Sequence, residues 1–190
     1  MGDTYKMNND ISFTAKYISS VMVQRLADNG KYLPTKANAV ELSAKNNNDL
    51  STLEKLSEKW GDDTYASNIL DEATSLNEFY NEYRPTVYAL TTQKDNFEKL
   101  QPNKVLGLME TSDEFGTIKS LDYLQTNPEF LDKFKPAMKR IGTAMLNFIE
   151  SINKGRRIEI DAVESAKSFY LKNGYKRMND YFNIYYKDIK

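Results

Sequence analysis

The stretch Lys139-Arg140-Ile141-Gly142-Thr143-Ala144 stands directly ahead of a strongly amphipathic run. A glycine there lets backbone approach a ligand closely, and the unpaired amides of a helix start point outward. With the helix dipole they make an anion site suited to a pyrophosphate. Lys139 and Arg140 add positive charge. The plainer alternative is a glycine tolerated near a helix start, since a lone glycine motif is weak. A second stretch, Ser165 to Arg177, reads SAKSFYLKNGYKR and sets Phe169 beside Tyr170 shortly before an Asn173-Gly174 stop. If one of two adjacent helix aromatics faces the core, the other points elsewhere. Two absences bound the chemistry. The chain has no cysteine and no histidine, so disulfides and a cysteine nucleophile are excluded. A general acid or base must be a carboxylate, a tyrosine, a lysine, a chain terminus or water. No metal is expected, because zinc favours Cys and His.

These segments need elements to position them. Ile11, Ala15, Ile18, Met22 and Leu26 recur at helical spacing before Gly30, which predicts a helix over 11–29. Residues 37–44 read as a strand. Leu50, Leu53, Leu56 and Trp60 mark a helix ended by Gly61, and a second helix is expected over 64–80. Residues 86–93, 104–111 and 117–126 read as strands, the last with a bulge because Ile118, Leu121 and Leu124 do not alternate. The connection from Pro128 to Lys139 is long enough to suggest function. Ile141, Met145, Phe148, Ile149 and Ile152 form the buried stripe of the next helix, stopped by Gly155. A strand over 157–162 follows, and Asp161 with Glu164 resembles a capping box for the helix bearing Phe169 and Tyr170. The chain closes as a hairpin with its tip at Asn179-Asp180. In that hairpin the run YFNIYYKDIK reads as a strand of aromatic β-formers rather than a base-stacking platform.

At 190 residues the chain fits one domain, or one domain with an added arm. Its 26 basic and 27 acidic residues nearly cancel, which argues against nucleic acid as a partner. No apolar run approaches the roughly 20 residues needed to span a bilayer. The start MGDTYKMNND lacks the basic and apolar regions of a signal peptide. The expectation is a soluble, cytoplasmic protein with no membrane partner.

Taken in order, an anion loop and helix, a short strand and then SAKSFYLKNGYKR resemble the C-terminal half of the GNAT superfamily of N-acetyltransferases. Lys139-Arg140-Ile141-Gly142-Thr143-Ala144 matches that family's Gln/Arg-x-x-Gly-x-Gly/Ala loop except at the first position. Ala166, Tyr170 and Gly174 match its Ala-x-x-x-Tyr-x-x-x-Gly-Phe segment, with Tyr175 at the final place. The resemblance covers residues 37–190 and leaves 1–36 as an N-terminal helical extension. It implies an α/β (α+β) fold with a mixed, splayed central sheet flanked by helices. It also implies acetyl-CoA as co-substrate, no metal, and a small-molecule or peptide amine as acceptor. Backbone of Leu124, Gln125 and Thr126 would pair with the pantetheine arm, and residues 139–144 would hold the pyrophosphate. Tyr170 would protonate the leaving thiolate while Phe169 packs inward. Asp122 and Glu110 are the candidate bases. Two departures stand out: EFLDKFKP adds length before the loop, and Val163 occupies a place where many members carry an Asn. A catalytically inactive acyl-CoA-binding or interaction module of the same fold is the alternative. The N-terminal helix could serve assembly, a homodimer included.

Overall fold

The computed structural model describes residues 15–43, 45–61, 64–75, 83–114, 117–131, 134–179 and 181–190. Its elements run β1 (Lys16–Leu26), β2 (Tyr32–Leu42), α1 (Asn47–Trp60), α2 (Tyr65–Ser75), β3 (Tyr83–Thr91), β4 (Val105–Glu114) and β5 (Thr117–Thr126). They continue β6 (Met138–Lys139), α3 (Ile141–Ile152), β7 (Arg157–Asp161), α4 (Lys167–Lys172), β8 (Lys176–Arg177) and β9 (Ile184–Asp188). The strands form one 9-stranded sheet in the order β6-β1-β2-β3-β4-β5-β7-β9-β8. The contact of β5 with β7 is parallel; its neighbours on either side, β4–β5 and β7–β9, are antiparallel. The fold is thus the mixed sheet flanked by helices that the sequence leads one to expect.

Side chains alternate between the two faces of a strand, and in β4 a bulge at Leu106, between Val105 paired to Thr91 and Gly107 paired to Leu90, shifts that alternation by one residue. Leu106 and Met109 join one core with α3, through Met145, Leu146, Phe148 and Ile149. Val105 and Leu108 join the other, with Leu53, Leu56 and Trp60 of α1 and Ile69 of α2. The α3 side is packed tightly at Gly107, where an added Cβ would lie 2.6 Å from Met145 Sδ and 2.8 Å from the Gln125 carbonyl oxygen. This close approach seats α3 against β4 and the end of β5.

The helix expected over 11–29 is not formed in its described part. Residues 16–26 are a strand that pairs with β2 along its length. Ile18, Met22 and Leu26 are four apart, a spacing that a period of two also satisfies, so the pattern was ambiguous. Inward-facing Val23 and partly buried Val21, both β-branched, favour the strand, and Met22 is exposed. Gly30, at φ 77°, turns a hairpin instead of ending a helix. Because β2 runs unbroken from Tyr32 to Leu42, the described part of the expected extension belongs to the same sheet as the rest.

Other differences are local. Ile152, placed in the buried stripe, is exposed at the end of α3. Asp161 and Glu164 make no capping box: Val163 precedes a short 3-10 turn without a side-chain cap, and Glu164 pairs with Lys167. The expected helix over 64–80 is seen as α2, its final residues lying outside those described. The bulge in β5 is present. Asn179 turns the closing hairpin by accepting hydrogen bonds from the Tyr181 and Phe182 amides; Asp180 lies outside the described residues.

At the start of α1, the Asn46 side chain accepts from the Asn48 and Asp49 amides at 2.8 and 3.1 Å. The Asp49 carboxylate in turn accepts from the Ser43 amide at 3.0 Å. Asn46→Ala should lower unfolding stability by about 1 kcal/mol in urea titration, the usual cost of a lost N-cap. An unchanged midpoint would show that α1 is not held by this cap.

Candidate active site

The central strands part company. β5 and β7 lie side by side yet share a single backbone pairing, Ser120 with Glu159. On its other edge β5 stays paired to β4 as far as Thr126. Glu110 faces Tyr123 and Thr111 faces Leu121, so Asp122 is the extra, bulged residue. Past Ser120, the edge of β5 turned toward β7 has no strand partner among the described residues.

That open edge leads into a cleft of about 1180 Å³. Leu124, Gln125 and Thr126 form one wall, and Lys139, Arg140, Ile141, Gly142 and Thr143 form another. Ala144, expected with them, is instead buried in the core. Arg140 precedes α3 at φ 61° and gives its start no side-chain cap. A positive φ is uncommon for such a residue, and the opening amides of α3 receive no acceptor from it. Gly142 serves packing. An added Cβ would lie 3.0 Å from Phe169 Cζ, so its missing side chain makes room for that ring. Phe169, expected to face inward, therefore borders the cleft beside Tyr170.

Tyr170 also reaches the cleft, although only 7% of it is exposed. Its ring packs among Phe169, Tyr175 and Tyr185. Burial, and after it the nearby Tyr65, push the Tyr170 phenol up to about 12. It keeps its proton at neutral pH and can donate it.

The segment ahead of α3 hangs from the hairpin of β1 and β2. β6 pairs Lys139 with Gln24 and Met138 with Arg25. The Leu26 amide donates to the Ala137 carbonyl at 2.9 Å, and the Tyr32 hydroxyl to the Pro136 carbonyl at 2.7 Å. The Lys139 ammonium lies 4.0 Å over the Tyr32 ring. Gln24 thereby becomes a cleft residue that sequence reasoning missed, because its segment read as helix. Thr64 and Tyr65 at the start of α2 were missed as well. The one available signal for them is their place at a helix start. The Gln125 side chain caps that start by accepting from the Ala66 amide at 2.9 Å.

The proposed bases lie elsewhere. A second pocket, about 750 Å³, is lined by Asp122, Tyr123 and Glu72, and Tyr65 borders both spaces. Asp122 accepts from the Ser112 and Ser120 hydroxyls at 2.5 and 2.7 Å. Glu72 accepts from the Tyr123 hydroxyl at 2.7 Å. That bond, followed by burial, holds the Tyr123 phenol above its usual range. Val163 opens onto the same pocket. Glu110 is fully buried, and neither of its carboxyl oxygens has a hydrogen-bond partner among the described residues. Burial, then Glu72 and Asp122, push its pKa up to about 9. Glu110 is thus a neutral acid at pH 7, which does not suit it to act as a base. Among the described residues no group of acidic side chains could hold a metal ion, and no helix is long and apolar enough to cross a membrane.

No family model matches the sequence, and no curated protein matches it either. Among solved structures, the chain is similar to one from Desulfovibrio desulfuricans assigned as an acetyltransferase of the GNAT family. The identity is 10% and the TM-score 0.49, over 90% of this chain and 100% of that one. It is also similar to a tandem GNAT protein from the clavulanic acid biosynthesis pathway, solved without AcCoA. There the identity is 11% and the TM-score 0.43, over 75% of this chain and 45% of that one. At values this low, any functional reading rests on this chain's own cleft.

The raised Glu110 pKa has a consequence for stability. The folded state binds that proton more tightly than the unfolded chain, so stability falls as pH rises from about 4.5 to about 9. Glu110→Gln removes the titration. The variant should match the parent near pH 5 and exceed it in melting temperature at pH 8.5. A difference that does not widen with pH would place Glu110 in a more polar setting.

Proposed function

We propose that the chain is an N-acetyltransferase that moves an acetyl group from acetyl-CoA to a primary amine by direct transfer. One observation carries the reading: the unpaired edge of β5 and the uncapped start of α3 open into the same cleft, with the Tyr170 phenol on its wall. Backbone amides and carbonyls of Leu124, Gln125 and Thr126 suit the amide-bearing pantetheine arm, which would act as a missing strand. The amides opening α3, with Lys139 and Arg140, suit the pyrophosphate. Bound there, acetyl-CoA would supply the acetyl thioester. Gln24, Phe130 and Met138 close the cleft on the side of β6.

The second pocket suits the acceptor, since Tyr65 borders both spaces. An alkylammonium must shed a proton before its nitrogen can attack. Asp122 and Glu72 line that pocket and are placed to take the proton, directly or through water. The nitrogen then forms the new C–N bond as the C–S bond breaks, Tyr170 gives its hydroxyl proton to the departing sulfur, and the second proton shed by the acylated nitrogen returns to the phenolate through water. Positioning supplies much of the rate, because both reactants are held on rigid strands and helices.

Calorimetry with coenzyme A should register saturable binding, and acetyl-CoA with a suitable amine should release free thiol. Tyr170→Phe should retain coenzyme A affinity and lower kcat by about 10²–10⁴-fold, the usual contribution of a general acid. Full activity in that variant would remove Tyr170 from the role. Saturable binding without thiol release across a broad amine panel would favour an acyl-CoA-binding module. No binding at all would end the reading.

A further inference from the structure

We propose that the second pocket selects a small alkylamine carrying a second cationic group, such as a diamine or polyamine; this rests on the acetyltransferase reading and names its acceptor. The pocket's charge is one-sided. Glu72, Asp122, Glu159 and Asp161 line it, and among the described residues no lysine or arginine does. Tyr65 and Tyr123 supply aromatic faces, their ring centroids 5.3 Å apart. Carboxylates beside aromatic faces are the recognition chemistry of ammonium groups, through charge and through cation–π attraction.

An independent feature lies beneath the floor. Glu110 is completely buried with both carboxyl oxygens unpartnered among the described residues. It shares a strand face with Ser112, two residues on, which bonds Asp122. It also sits opposite Tyr123, which bonds Glu72. The bulge at Asp122 brings both partners to the Glu110 face. A buried polar group without a partner is costly, and such groups are rare in folded proteins unless they serve a site. A cation entering between Glu72 and Asp122 would offset the two charges that act on Glu110 from the pocket side.

The spacing of the acids decides the kind of cation. They come from α2, β5 and β7 and its end, and no group of them among the described residues gathers closely enough for a metal ion. Charges spread in this way fit an extended organic cation. The volume, about 750 Å³, falls within the roughly 300–1,000 Å³ of small-molecule sites. With the reacting nitrogen beside Tyr65, where the two spaces meet, the second ammonium would lie toward Glu159 and Asp161.

The test is calorimetric titration of the full chain with 1,4-diaminobutane, 1-aminobutane and 4-aminobutanoate, with coenzyme A titrated separately. The diamine should bind roughly tenfold tighter than the monoamine at low salt, an advantage that salt screening shrinks. The zwitterion should bind weakest. The double variant Glu159→Gln/Asp161→Asn should bring diamine and monoamine to within about twofold. Equal affinities in the parent, no binding of either amine, or an advantage that survives in the double variant would each overturn the proposal. Tighter binding of a Lys-Lys dipeptide amide than of the diamine would overturn it in favour of a peptide acceptor. Loss of coenzyme A binding alone would instead strike the acetyltransferase reading and leave the cation site standing.

Discussion

Everything distinctive about this molecule follows from one failed pairing. Two adjacent strands that could have zipped together, β5 and β7, meet at Ser120 and Glu159 and then diverge. Hydrogen-bonding groups of a strand edge do not stay idle inside a protein. On the β5 side they are left facing a cleft that α3 and α4 complete. A ligand rich in amides can therefore join the sheet where protein does not. The bulge at Asp122 belongs to the same constraint, since it bends the strand where the separation begins and turns polar groups toward the opposite space.

The separation divides the chemistry in two. On one side, main-chain nitrogens, Lys139 and Arg140 favour negative charge, and a phenol retains its proton. On the other, carboxylates and tyrosines favour positive charge. Tyr65 borders both. An anionic and a cationic reactant could then approach from opposite faces with little mutual exclusion, which suits a reaction needing both at once.

Much of this was legible in the residues. The amphipathic run from Ile141, the short strand after Gly155 and the stop at Gly174 stand out because period and punctuation agree there. Lys139 to Thr143 and Tyr170 were found by motif, and the structure gathers them around one cleft. The N-terminal segment was misread because residues four apart satisfy a strand as well as a helix. That error hid Gln24. Glu110 was picked out as a carboxylate, but its neutral state depends on burial beneath α2 and on Glu72, 38 places away (110 − 72) in no recognisable pattern. Phe169 was sent inward because the contact that holds it against Gly142 comes from a different helix.

The anchoring of the Pro136–Lys139 segment on β1 and Tyr32 has a kinetic side. The Tyr32–Pro136 bond spans 104 residues of chain, while β3, β4 and β5 are successive neighbours whose connections, residues 92–104 and 115–116, are far shorter than that. Contacts between distant parts of a chain carry the larger loop-closure cost and form late. A refolding molecule should thus complete its central meander first and set the Pro136–Lys139 segment last, with amide protection in β3–β5 running ahead of that around Lys139.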